Sequence, residues 1–217
     1  MNLLEEIKRN FAVAIVRGAS PQEALPVIRA LYAGGIRVLE LTAATPGIMG
    51  LVEKARAAMP DDLIVGVGTV LDPETARGAI LSGAQFILSP SLKAETVTLT
   101  KRYGVISIPG AMTPGEILAA YELGADVVKV FPAGPLGPSY IKDIHGPLPQ
   151  IPLMPTGGVG LSNIGEYVRA GAAAAGLGSA LYSPGAGKDQ DSLAHLEAKA
   201  RKYVEAIAAA RSGQDLI

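Results

Sequence analysis

Short apolar runs recur along the chain at 11–16, 36–42, 63–69, 85–89, 105–109, 126–131, 151–156 and 173–178. Amphipathic stretches of helical size separate them. Runs this short, rich in β-branched residues and apolar on both faces, predict strands buried on both sides. Their alternation with helices predicts a parallel sheet joined by crossover helices. The gaps carry matching punctuation. Ser20-Pro21-Gln22-Glu23 and Thr113-Pro114-Gly115-Glu116 have capping-box form with proline at the first helical position, and Asp72 and Ser162 suit N-caps. Gly34, Gly83, Gly104, Gly124 and Gly171 precede apolar runs, where a left-handed glycine closes a helix. After Tyr182 a loop and a final helix over 192–211 are expected.

Eight such units fill 217 residues as one α/β domain, 1–217, and predict a (βα)8 TIM barrel. A doubly wound open sheet is the competing arrangement. It calls for a glycine-rich phosphate turn after the first strand, but the chain has Arg17-Gly18-Ala19-Ser20 there. The glycine pairs come instead after the seventh and eighth runs, where barrels bind phosphate.

Composition narrows the function. With 19 basic and 20 acidic residues and net charge −1, no basic face points to nucleic acid or an anionic membrane. No run approaches the ~18 uncharged apolar residues of a membrane span, so a cytoplasmic protein is expected. There are no cysteines, which removes disulfides, thiolate catalysis and Cys-ligated metals. His145 and His195 have no metal-ligand company, so no metal is expected.

Two strands break their apolar pattern with a charge. In Asp126-Val127-Val128-Lys129-Val130-Phe131, period 2 puts Val127, Lys129 and Phe131 on one face. In Ile36-Arg37-Val38-Leu39-Glu40-Leu41-Thr42 it groups Val38, Glu40 and Thr42. If the all-aliphatic faces pack on helices, Lys129 and Glu40 both point inward. Lys129 is then either the partner of a structural ion pair or an amine held neutral by its apolar wall. A neutral amine is a nucleophile; in water at pH 7 only about one lysine in a few thousand is uncharged. Glu40 alone reads as a counter-charge, but Schiff-base chemistry also needs an acid/base beside the imine. One carboxylate facing one lysine satisfies both readings. In Gly66-Val67-Gly68-Thr69-Val70 the same parity puts Val65, Val67 and Thr69 inward, making Thr69 a candidate donor to a substrate carboxylate. Thr156-Gly157-Gly158 and Gly176-Leu177-Gly178-Ser179 can present backbone N–H groups to a phosphate.

Six segments occur in order: 38–42, 66–70, Ile87-Leu88-Ser89-Pro90, 108–114, Val128-Lys129-Val130-Phe131-Pro132 and Pro155-Thr156-Gly157-Gly158. Together they resemble the family of 2-keto-3-deoxy-6-phosphogluconate (KDPG) and 4-hydroxy-2-oxoglutarate (KHG) aldolases, from about residue 11 to 182. The resemblance implies a Schiff-base aldolase that needs no metal or organic cofactor and is commonly a homotrimer. It implies Lys129 as the imine lysine, Glu40 as the acid/base and Thr69 as a pyruvate-carboxylate contact. Phe131 and Pro90 become pocket walls, and Gly157, Gly158, Gly178 and Ser179 the phosphate site. Some members carry an arginine soon after the strand-two glutamate; this chain has Ala44 there. Arg17, ending the first strand, is the candidate replacement. The expected partners are a 2-keto acid and an aldehyde phosphate, with a galactonate-series or KHG substrate as the neighbouring alternative. A non-catalytic sugar-phosphate-binding barrel would need neither Lys129 nor Glu40.

Overall fold

The computed structural model describes residues 2–20, 22–187 and 189–213. In chain order it contains α1 (Leu3–Asn10), β1 (Ala12–Val16), α2 (Ala24–Ala33), β2 (Val38–Thr42), α3 (Ile48–Ala58), β3 (Ile64–Gly68), α4 (Pro73–Leu81), β4 (Phe86–Leu88) and α5 (Ala94–Arg102). Then follow β5 (Ile106–Ile108), β6 (Gly110–Ala111), α6 (Pro114–Glu122), β7 (Val128–Val130), α7 (Gly137–His145), β8 (Leu153–Pro155), α8 (Ile164–Arg169), β9 (Ala175–Leu177) and α9 (Gln190–Ser212). Every strand pairing is parallel. The result is an α/β fold on a curled parallel sheet.

The strands form two hydrogen-bonded sets, β5-β4-β3-β2-β1-β9 and β6-β7-β8. The fifth apolar run was expected as one strand. It forms β5 and ends at Pro109, which has no N–H to offer a neighbour, and the two-residue strand β6 follows directly. Residues before Pro109 pair with β4 and residues after it with β7, while the Pro109 carbonyl accepts from Lys129 N at 2.9 Å. A single parallel bridge, Thr156 to Gly176, connects the β8 side with the β9 side.

Each strand sorts its side chains between two cores. Leu39, Leu41, Val65, Val67, Val128 and Val130 pack with the helices. Val13, Val38, Ile64, Phe86, Ile108, Val127 and Met154 pack with one another on the inner face, closed at the N-terminal end by Ile7, Leu3 and Leu4 of α1. The third strand corrects the parity expected for it: Val65 and Val67 face the helices, and Gly66 and Gly68 face inward. The reason is space. A methyl at Gly66 would lie 2.4 Å from the Phe86 ring, and one at Gly68 1.8 Å from Glu40 Oε1. The inner positions of β3 are vacated so that neighbouring strands can place a ring and a carboxylate there. Filling such space typically costs about 1–3 kcal/mol.

The helix signals divide. Thr113 and Glu116 form the expected capping box, and Asp72 accepts from Thr75 N at 2.6 Å. Ser20 and Glu23 exchange hydrogen bonds ahead of α2, although Pro21 lies outside the described residues. Gly34 is right-handed; its missing side chain admits Ala200 and Glu197 of α9, and Gly35 takes the left-handed position. Ser162 caps nothing: Asn163 is the residue before α8, and its Oδ1 accepts from Gly160 N at 2.8 Å.

Candidate functional site

The strand ends bring the charged candidates together. Glu40 pairs in register with Ile15 of β1 and Gly66 of β3, and Lys129 with Gly110 and Met154. Lys129 is 4% exposed and Glu40 fully buried. The Lys129 ammonium nitrogen lies 4.9 Å from the Phe131 ring centre, over an apolar face that tolerates either an amine or a cation. Burial pushes the Lys129 pKa down; the Glu40 charge works against that shift and the Arg17 charge adds to it. Burial pushes the Glu40 pKa up, opposed by Lys129 and Arg17. Both groups are thus driven toward their neutral forms. Neither Glu40 oxygen has a hydrogen-bond partner, so the carboxyl is not consumed by the fold. A buried acid without partners is costly unless it stays neutral or meets a ligand.

A cavity of about 430 Å³ opens at these strand ends. Its wall includes eight of the eleven residues singled out from the sequence: Arg17, Lys129, Phe131, Thr156, Gly157, Gly158, Gly178 and Ser179. The lining does not include Glu40, Thr69 or Pro90. Glu40 is buried behind the lining, packed against Gly68. Thr69 stands one residue beyond β3 with φ 59°, so strand parity no longer governs it. Pro90 backs onto Gly110, whose added methyl would sit 2.3 Å from the Pro90 carbonyl. Arg17 is exposed at the cavity edge.

The glycine turn after β8 is built for close approach. Gly157 and Gly158 have φ of 81° and 85°, and a methyl on Gly158 would meet Gly134 at 2.5 Å. Asn163 Nδ2 donates to the Gly158 carbonyl at 2.9 Å and steadies the turn. A glycine turn of this kind can present backbone N–H groups to an anion. The turn after β9 faces the same cavity through Gly178, Ser179 and Ala180.

The sequence missed part of this wall. Ser162, read as a helix cap, lines the cavity, as do Gly160, Ala180, Tyr182 and Pro184. All five lie on loops after β8 and β9, where no strand or helix period applies. The only available signal was their closeness to the glycine turns. Among the described residues no group of three His, Cys, Asp or Glu side chains could hold a metal ion, and no helix is long and apolar enough to cross a membrane.

The fold is α/β, and its candidate site lies at the C-terminal edge of a parallel sheet, where ligands of such folds bind. Residues 3–197 match the aldolase family described as KDPG and KHG aldolase, and the chain belongs to that family of lyases. It is 36% identical over 174 residues to the 2-dehydro-3-deoxy-6-phosphogalactonate aldolase of Escherichia coli strain K12, across 80% of this chain and 85% of that protein. It is 36% identical over 169 residues to the 2-dehydro-3-deoxy-phosphogluconate aldolase of Treponema pallidum, across 77% and 80%. A solved native KDPGal structure superposes with TM-score 0.85 at 33% identity, covering 93% of this chain and 96% of that one. The KDPG aldolase of Legionella pneumophila, solved with pyruvate captured as a covalent carbinolamine, gives TM-score 0.79 at 27% identity, covering 97% and 98%.

Proposed function

We propose that the chain reversibly cleaves 2-dehydro-3-deoxy-6-phosphogluconate to pyruvate and glyceraldehyde 3-phosphate through an imine on Lys129. The observation that carries this is a buried lysine in a cavity wall beside a buried, unpartnered carboxyl, both driven toward neutrality. The neutral Lys129 amine attacks the C2 carbonyl, and loss of water gives an iminium. Glu40, directly or through a water, supplies and removes the protons of that dehydration. It then accepts the C4 hydroxyl proton as the C3–C4 bond breaks. The bonding pair flows into the iminium, leaving an enamine and releasing the aldehyde. Protonation at C3 and hydrolysis free pyruvate and restore the amine. The carbinolamine captured in the Legionella pneumophila relative supports this reading.

A galactonate-series substrate is the second reading, favoured by the Escherichia coli relative and the KDPGal structure. A turnover panel of both C4 epimers, their unphosphorylated forms and 4-hydroxy-2-oxoglutarate tests the proposal. Pyruvate release from a phosphorylated epimer, surviving exhaustive chelation, is expected, because the iminium already serves as electron sink. Activity lost to EDTA and restored by a divalent ion would replace the imine with a metal enolate.

Within this reading Thr69 and Arg17 serve the substrate carboxylate. Pro90 and Phe131 shape the pocket, and Thr156, Gly157, Gly158, Gly178 and Ser179 receive the phosphate. Arg17→Ala is expected to raise KM for pyruvate in condensation by roughly tenfold or more, the scale of a charged hydrogen bond. KM for glyceraldehyde 3-phosphate should barely move. The Arg17 charge also depresses the Lys129 pKa, so the acid limb of the rate profile should move to higher pH in this variant. The opposite pattern, with pyruvate spared and the aldehyde weakened, would place Arg17 at the other end of the substrate.

We also propose that the two sheets are arcs of one closed (βα)8 barrel forming a single domain. The bridge at Thr156 and Gly176 and the direct succession of β5 and β6 across Pro109 support this. A homotrimer fits the exposed Leu81, Tyr103, Leu118, Tyr121 and Leu123 on or just after the consecutive helices α4, α5 and α6. Light scattering at micromolar concentration should give three times the chain mass; a monomer would refute it. A cytoplasmic location suits phosphorylated substrates, which do not cross membranes freely.

A further inference from the structure

Tyr182 sits in the cavity wall, on the same backbone turn as Gly178 and Ser179. The turn is tight: Leu181 N and Tyr182 N both donate to the Gly178 carbonyl, at 2.9 and 3.0 Å. The Tyr182 side chain is almost wholly buried, and its hydroxyl has no hydrogen-bond partner. The other two tyrosines of the core differ. Tyr203 donates to the Ala180 carbonyl at 3.0 Å, and Tyr167 to the Ala133 carbonyl at 3.3 Å. A purely packing role at 182 would be filled equally well by phenylalanine, which brings no orphaned oxygen. Buried hydroxyls left unpaired destabilise a fold, and such groups concentrate where a ligand completes them.

We propose that Tyr182 is a substrate-binding residue whose hydroxyl donates a hydrogen bond to the phosphoryl group of the aldehyde half. The inference rests on the phosphate placement proposed above. Burial and the nearby Glu23 charge keep the phenol protonated, so it enters as a donor. A phosphate dianion only accepts, and Tyr182 lines the same cavity as Gly178 and Ser179, the residues assigned to it. The hydroxyl is covered by its surroundings, so binding requires a small shift of the cavity wall.

Tyr182→Phe separates this role from packing. Three quantities are read on the full chain: melting temperature without ligand, affinity for inorganic phosphate by calorimetry, and KM for pyruvate and glyceraldehyde 3-phosphate in condensation. Melting temperature should stay level or rise, because the deleted oxygen had no partner. The phosphate dissociation constant and KM for the aldehyde should each rise about tenfold, the loss of one hydrogen bond to a charged acceptor. KM for pyruvate and borohydride trapping at Lys129 should be unchanged. Unaltered phosphate affinity would overturn the proposal. So would a lower melting temperature with pyruvate and phosphate weakened alike, which marks a packing role. Failure of pyruvate trapping in the unsubstituted chain would refute the imine mechanism, while the phosphate measurement would still decide Tyr182.

Discussion

Borohydride added together with pyruvate is expected to fix a reduced pyruvyl group on Lys129 and on no other lysine. The selectivity follows from environment. Lys101 is committed to an ion pair with Asp126 at 2.6 Å, and Lys142 is exposed in α7. Lys129 alone among these is buried on the inner face of a strand, against an aromatic ring and in a cavity wall. Burial moves its pKa down, which raises the fraction of free amine at neutral pH. Lys129→Ala should remove the adduct and lower kcat by several orders of magnitude, as deletion of a covalent nucleophile does. Lys129→Arg is the sharper variant. It keeps a positive charge beside Glu40, but a guanidinium does not lose its proton and forms no such adduct. If Lys129 served only as the counter-charge of Glu40, the arginine variant would retain most of the activity. Peptide mass analysis decides the site: an adduct on another residue would refute the assignment.

Glu40→Gln is expected to lower kcat by about 10²–10⁴-fold, the usual contribution of a positioned acid/base, with KM little changed. Glutamine has the size of glutamate, so the close fit against Gly68 survives and no cavity opens. The amide cannot carry protons, so carbinolamine dehydration and C3–C4 cleavage both slow. The variant has a second signature. The Glu40 charge raises the Lys129 pKa, so its removal should move the acid limb of the remaining activity to lower pH. That displacement is opposite in sign to the one expected for Arg17→Ala. Rate profiles of the two variants therefore test one electrostatic triad from both sides. A Glu40→Gln enzyme with near-normal turnover would reduce Glu40 to a counter-charge. Stopped trapping in the presence of pyruvate should still yield the Lys129 adduct, more slowly, because the nucleophile remains.

The alternation of apolar runs determined the α/β class and the parallel pairing, because burial on both faces leaves a signature that needs no neighbour to be read. Period 2 within β2 and β7 was enough to put Glu40 and Lys129 on the inner face. Each strand holds a single charge among aliphatics, and only one orientation spares the helix-packed side. The Gly157-Gly158 doublet likewise marked a turn able to present backbone N–H groups, and both of its residues are left-handed. Parity failed at β3, where the inner positions belong to Gly66 and Gly68. Glycine carries no polarity for a pattern to detect, and its purpose lies in Phe86 and Glu40, which arrive from other strands. The break at Pro109 had the same origin. The missing N–H was written in the sequence, but which neighbour each half would choose depended on β4 and β7. Ser162 and Tyr182 became wall residues only when the loops after β8 and β9 folded over one cavity. A side chain's periodicity is a local property of the backbone. What it faces is set by elements tens of residues away, and in this chain that distinction separates Lys129, Glu40 and the glycine turns, legible in the sequence, from Ser162 and Tyr182, which only the fold brought to the cavity.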